Sequence, residues 1–254
     1  MNMSSTKQTY AFLGATGGCT LHALIPALTA GHTCLALARD PAKLRQLLLT
    51  NGLPAALLAN LTITKGDAKS PSDVRLMLSP DGKTTHVTGI VSGIGSTPVL
   101  KKGFHPMPIT LEDPTVCESA MAALVSALST LEPAKGAARP FVVAISTTGI
   151  SDKARDVPLL LLWLYKWLLR VPHMDKKAME TLLRKSGGES LVVRASLLTD
   201  GASRGAVAVR QGVEQRPAVG YYISRKDVGG WIWENVLRRR TVGDLDGEAV
   251  TVTY

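Results

Sequence analysis

Seven residues, Gly14-Ala15-Thr16-Gly17-Gly18-Cys19-Thr20, constrain this chain more than any others. They follow an apolar run, Tyr10-Ala-Phe-Leu13, that reads as a buried strand ended by glycines. They precede Leu21 to Ala30, which reads as a helix stopped by Gly31. A chain that passes from strand to helix so quickly must turn tightly. Gly14 permits that turn, and Gly17 lets another group approach the backbone closely. The helix that follows offers unpaired N–H groups and the positive end of its dipole. A strand, a glycine turn and a helix in that order form a site for a pyrophosphate.

Apolar runs keep alternating with amphipathic stretches. Strands are expected at Thr33 to Ala38, Leu61 to Thr64, His86 to Val91, Phe141 to Ile145, Leu191 to Arg194 and Ala249 to Thr253. Helices are expected from Asp40-Pro41 to Thr50, Ser70 to Leu78, Thr115 to Leu131, Ala154 to Arg170, His173 to Lys185 and Arg225 to Arg239. Asp40 before Pro41 has the pattern of an N-cap with proline at the first helical position. This alternation implies the α/β class, a Rossmann-type doubly wound parallel sheet with helices on both faces. The 254 residues, 45% of them hydrophobic, suit a single domain. Residues 8–195 read as its dinucleotide-binding core and 196–254 as a small C-terminal substrate-binding region. Loop-rich segments at 96–110 and 198–219 are the expected substrate walls, because ligands sit at the carboxyl ends of such strands.

Twenty-nine Lys and Arg against twenty Asp and Glu leave a net charge of +9, which favours an anionic partner. The charge is diffuse, and no basic run stands beside stacking aromatics, so nucleic acid is not expected. Three cysteines without CxxC spacing argue against a disulfide framework or a structural zinc site. No metal is expected. Met1 to Tyr10 lacks the apolar centre of a signal peptide, and Val157 to Val171 is too short and too interrupted to span a bilayer. The expectation is a cytoplasmic protein, a monomer or weak homodimer, acting on a small molecule.

The end of the second strand, Ala38-Arg39-Asp40-Pro41-Ala42-Lys43, bears on which dinucleotide binds. An acidic residue there reads the ribose 2′-hydroxyl of NAD, whereas arginine suits the 2′-phosphate of NADP. Arg39 either stacks on adenine or clamps phosphate, and Lys43 adds a second charge. Asp40 is accounted for as the N-cap. NADP(H) is therefore the expected cofactor.

The glycine turn, together with these later segments, resembles the atypical short-chain dehydrogenase/reductases over nearly the whole chain. The likeness is to the NmrA-like and flavin/biliverdin-reductase-like branch, fungal members in particular. One departure is local: Thr20 stands where that pattern has its third glycine, and is expected to shift the helix slightly. The resemblance implies adenine contacts at Asp67 and Ala68. It implies that Ser92, Gly93, Ile94 and Gly95 lie along the nicotinamide ribose. A hydroxyl at the end of the fifth strand, Ser146 or Thr147, would face the nicotinamide. Lys177 best matches an active-site lysine, and His173 is a candidate proton donor. Ser196 and Leu197 complete the expected cofactor contacts. The implied activity is NADP(H)-dependent hydride transfer to a small carbonyl, imine or conjugated acceptor, with a place in secondary metabolism. A dinucleotide-binding redox sensor and a non-redox isomerase or cyclase are the alternatives.

Tyr222-Ile-Ser-Arg-Lys226 has the YxxxK spacing of typical short-chain enzymes. It falls after the sixth strand, far from the expected place after the fifth, so it is not read as catalytic. Leu159 to Leu169 is apolar on all sides and is expected to be core helix plus lid over the substrate, with membrane-surface contact as the other reading. Trp163, Tyr165 and Trp167 would give flat walls for an aromatic or polyketide-like acceptor.

Overall fold

The computed structural model describes residues 7–100, 109–163 and 169–254. β1 (Thr9–Leu13) leads into α1 (Gly18–Thr29), β2 (Thr33–Ala38) into α2 (Pro41–Thr50), and β3 (Leu61–Lys65) into α3 (Pro71–Leu78). Short β4 (Thr84–Thr85) is followed by β5 (Gly89–Ser92), β6 (Pro98–Leu100), β7 (Ile109–Leu111) and α4 (Val116–Ser129). Then come β8 (Glu132–Pro133), β9 (Phe141–Thr147), α5 (Arg170–Lys185) and β10 (Ser190–Ala195). The chain ends with β11 (Leu197–Thr199), β12 (Arg210–Val213), β13 (Tyr222–Ser224), α6 (Arg225–Ile232) and β14 (Ala249–Thr253).

Eight strands form the central sheet in the order β12-β14-β10-β9-β5-β1-β2-β3. All neighbours are parallel except β12, which runs antiparallel to β14. From β1 the order proceeds one way to β2 and β3, and the other way to β5 and β9. The switch point therefore lies between β1 and β5, where a doubly wound sheet opens its ligand crevice.

Side chains alternate between the two faces of each strand. Phe12, Val91, Val143 and Ile145 join Leu24, Leu28, Leu44 and Ile232 in the apolar layer beneath α1, α2 and α6. Leu13, Ile90, Val142 and Ala144 join Met77, Leu124 and Leu183 beneath α3, α4 and α5. Strands buried on both faces read as continuous apolar runs, which is why most were visible in the sequence.

Helix starts follow local chemistry. The Asp40 carboxylate accepts from Ala42 and Lys43 N–H, and Pro41 opens α2 as expected. Ser70 and Ser224 cap α3 and α6 in the same manner. α4 is capped from another helix: Asp175 of α5 accepts from the N–H of Cys117 and Glu118, at 3.0 and 2.8 Å.

Three expectations shift. The fourth strand starts at Gly89, not His86; Gly89 seats the Phe141 ring, and a Cβ there would stand 2.3 Å from it. The expected helix from Ala154 does not form before a short 3-10 turn at Leu159–Leu161. Asp156 folds that segment back by accepting from Gly149 N–H, and Pro158 disfavours helix at the preceding residue. The last helix is regular only to Ile232, and winds more widely over Trp233–Leu237. Residues 196–254 also rejoin the core. β14 pairs with β10, and α6 crosses α1 so closely that a Cβ on Gly229 would lie 2.5 Å from the Cys19 carbonyl.

Candidate functional site

At the switch point two glycines face each other. Gly14 has φ +74°, and a Cβ on it would lie 2.8 Å from the Gly93 carbonyl. Gly93 N–H donates to the Leu13 carbonyl at 3.0 Å, and Gly17 N–H closes the turn onto the Gly14 carbonyl at 2.8 Å. α1 then begins with no side-chain cap and no acidic residue in its first turn. Its leading N–H groups and dipole are left for an anion, so the turn fits a pyrophosphate.

Thr20 is accommodated from the other side of the crossing. A Cβ on Gly93 would be 2.0 Å from Thr20 Oγ1. The small residue needed for close helix–sheet packing sits on the strand end in place of the helix. Ala15 and Cys19 are buried, Thr16 is exposed, and burial pushes the Cys19 thiol up to about 12, so it is no nucleophile.

At the adenosine end, Arg39 and Lys43 are exposed beside the end of β2. Asp40 is committed to its cap. Asp67 is turned to its own loop: its Oδ1 accepts from Lys69 N–H at 3.0 Å. Ala68 packs against the apolar layer beneath α3 and α4.

At the nicotinamide end the structure rearranges several assignments. The lysine that reaches the strand ends is Lys176, not Lys177. Lys176 Nζ donates to the carbonyls of Ile94 and Ile145, both at 2.8 Å. Lys177 points to solvent and pairs with Asp152 at 2.6 Å. One residue along a helix is a 100° rotation, which separates the two completely. Ser146 belongs to the layer beneath α5, and its hydroxyl donates to Glu180 Oε1 at 2.6 Å. Thr147, one residue on, is half-buried and shares the parity of Ile145, hence the α1 side. Burial pushes the His173 imidazole down to about 4, so it is neutral at pH 7 and carries no extra proton for a product. Ser92 is buried, Gly95 is exposed, Ser196 Oγ meets Thr253 Oγ1 at 2.8 Å, and Leu197 is exposed.

Sequence reading missed Lys176, although a signal was present. Lys176 shares a helical face with buried Met179 and Leu183, whereas Lys177 shares one with Thr181 and Arg184. It also missed a buried ionic cluster. Arg194 donates to Glu180 at 3.0 and 2.6 Å and to Glu214 at 2.8 Å.

Tyr222 and Lys226 do not share a helix face. Tyr222 lies on β13, its hydroxyl accepts from Arg204, and Lys226 is the second residue of α6. Of the apolar segment, Leu159, Leu160 and Trp163 are exposed and therefore not core; Tyr165 and Trp167 lie outside the described residues.

Residues 14–238 match the family described as NAD(P)H-binding. The chain belongs to that family. Homology to proteins named a reductase and an oxidase makes it an NAD(P)-binding oxidoreductase, and solved short-chain dehydrogenase/reductases share its fold. It is 41% identical to the reductase pytE of Aspergillus terreus over 99% of this chain and 100% of that one. It is 38% identical to the oxidase pynE of Aspergillus niger, over 91% of this chain and 94% of the relative. A short-chain dehydrogenase/reductase from Veillonella parvula, solved in complex with NADP, shares the fold with a TM-score of 0.68 at 16% identity, covering 98% of this chain and 95% of that one. ChuY, an anaerobilin reductase from Escherichia coli O157:H7, does so with a TM-score of 0.62 at 15% identity, covering 96% of each chain. Among the described residues, no helix is long and apolar enough to cross a membrane.

Proposed function

We propose that this chain is an NADP(H)-dependent reductase of a small organic carbonyl, imine or conjugated acceptor. The observation that carries the reading is Lys176, whose ammonium is fixed by two main-chain carbonyls where β5 and β9 end. An ammonium has three N–H donors; two are held by these carbonyls, and the third, beside the weakly accepting Cys117 thiol, can turn to a ribose hydroxyl or the acceptor oxygen. Its charge stabilises negative charge that develops on that oxygen. The bound cofactor supplies the hydride. Thr147 offers a hydroxyl on the α1 side of the sheet. The Ser146 hydroxyl is turned to donate to Glu180 and His173 is neutral, so water supplies the proton that the product needs.

Arg39 and Lys43 favour the phosphorylated dinucleotide by charge. The exposed Leu159, Leu160 and Trp163 suit a hydrophobic, aromatic or polyketide-like acceptor of secondary metabolism, and the setting is cytoplasmic. The names of the two fungal relatives, a reductase and an oxidase, both describe net redox chemistry, which favours this reading over a sensor or an isomerase.

The test is NADPH consumption under anaerobic conditions with a panel of carbonyls, imines and conjugated acceptors. Stoichiometric NADPH oxidation with reduced product supports the proposal. Product formed without net change in the cofactor overturns it.

A further inference from the structure

Gly18 is not explained by the turn it follows. Its backbone is not left-handed, yet a Cβ there would lie 2.5 Å from Arg225 Cδ and 3.1 Å from Arg225 Cβ. The aliphatic stem of Arg225, the first residue of α6, therefore lies directly on the first turn of α1. Its charge reaches Cys19, the second residue of α1, alongside those of Lys176 and Asp200. Its Nη1 donates to Asp200 Oδ1 at 2.9 Å, and that carboxylate is 87% exposed. An ion pair with so exposed a partner contributes little to stability. The result is a guanidinium placed by tight packing at the uncapped, anion-seeking end of α1, with a solvent-facing carboxylate as partner.

We propose that Arg225 is a pyrophosphate ligand and that Asp200 is the partner it gives up. When a dinucleotide binds, the guanidinium exchanges the Asp200 carboxylate for diphosphate oxygens, which carry more charge and suit its planar fork. The first turn of α1 and the first residue of α6 then hold the diphosphate together. Asp200, which directly follows β11, is released towards the segment that borders the substrate side. The inference rests on dinucleotide binding at the glycine turn, and is independent of the acceptor and of the ribose 2′-phosphate.

The experiment titrates the full chain with NADP+, NAD+ and adenosine 2′-monophosphate, which lacks the diphosphate. Arg225→Met keeps the stem over Gly18 and removes the charge. It should weaken NADP+ and NAD+ alike, by about tenfold or more, and leave adenosine 2′-monophosphate unchanged. Asp200→Asn, on the exposed partner, should tighten both dinucleotides by roughly threefold, because a competing carboxylate is gone. A folded Arg225→Met chain that binds NADP+ as wild type does overturns the inference. So does an Asp200→Asn chain whose dinucleotide affinity falls, since the pair would then be a structural bridge. If wild type binds no dinucleotide, the reading of the crevice itself falls; if it binds and Arg225→Met is unchanged, only this inference does.

Discussion

At the scale of single residues, the two ends of the crevice make separable claims. Arg39 is exposed at the end of β2 and Asp40 is occupied by its cap, so the 2′-position is left to cations. NADPH should bind about ten- to a hundred-fold more tightly than NADH, as one charge-assisted contact allows. Arg39→Ala should erase most of that difference and leave NADH nearly unchanged, and the wild-type preference should weaken as salt is raised. Calorimetric titration of both cofactors checks this, and equal affinities in wild type would remove Arg39 from the 2′-position. His173 makes a claim about pH. Its folded pKa lies below its unfolded one because burial disfavours the imidazolium. The unfolded chain therefore takes up the proton first as pH falls below about 6.5, and stability is lost down to about 4. The loss is roughly 2 kcal/mol by pH 5. Burial raises the Asp156 carboxyl, which shifts stability the opposite way: its cost appears as pH rises through the folded pKa. Urea midpoints of wild type and His173→Gln, measured at pH 5 and 7.5, isolate the histidine, since Asp156 is common to both chains. A pH dependence equally steep in the variant would refute the assignment.

Elements differ in how far sequence reveals them. β1, β9, β10 and β14 are strands buried on both faces, so hydrophobicity alone marks them, whereas β3 is a part-exposed edge strand read from its alternating Leu61-Thr-Ile-Thr64. α2 and α3 carry their own starts in Asp40-Pro41 and Ser70-Pro71. β12 is different: Arg210-Gln-Gly-Val213 is a mostly polar edge strand, and only its pairing with β14 makes it a strand. The segment before α5 is set by a side chain, Asp156, reaching back to Gly149, which no local periodicity encodes. Within α5 the period was legible, and it sets Lys176 rather than Lys177 at the strand ends, with a measurable consequence. Lys176→Met should lower kcat on the order of 10²-fold, through loss of the fixed ammonium at the strand ends. Lys177→Met should remain within about twofold of wild type, because an exposed pair with Asp152 contributes little. The reverse ranking in steady-state kinetics would return the catalytic role to Lys177.

On the scale of the whole molecule, the crevice rests on a buried ionic layer that no short stretch of sequence announces. Arg194 of β10, Glu180 of α5 and Glu214 beyond β12 are each nearly fully buried, and Ser146 of β9 joins them through Glu180. The partners are far apart in the chain, so the cluster exists only once the sheet is assembled. Arg184 and Lys153 approach its outer edge at 3.4 Å from Glu214. Burial raises the Glu214 carboxyl, but the hydrogen bond and charge of Arg194 outweigh it and hold the group below its ordinary value. Glu214 therefore contributes stability above its unfolded pKa that is lost as pH falls through the folded one. Breaking such a cluster from one side costs more than removing it whole, because an unpaired buried charge is left behind. Arg194→Met should destabilise the chain by about 3–5 kcal/mol at pH 7, and by less as pH falls and the stranded carboxylates protonate. The triple change Arg194→Met, Glu180→Gln and Glu214→Gln should recover most of that loss. Because the cluster lies beneath the strand ends and touches none of the glycine turn, the recovered triple variant should bind NADP+ as tightly as wild type. Urea unfolding at pH 5 and 7 and titration with NADP+ measure both properties. A stable triple variant with lost cofactor affinity would show that these charges tune the crevice directly, and would move Ser146 and Glu180 from scaffold to site.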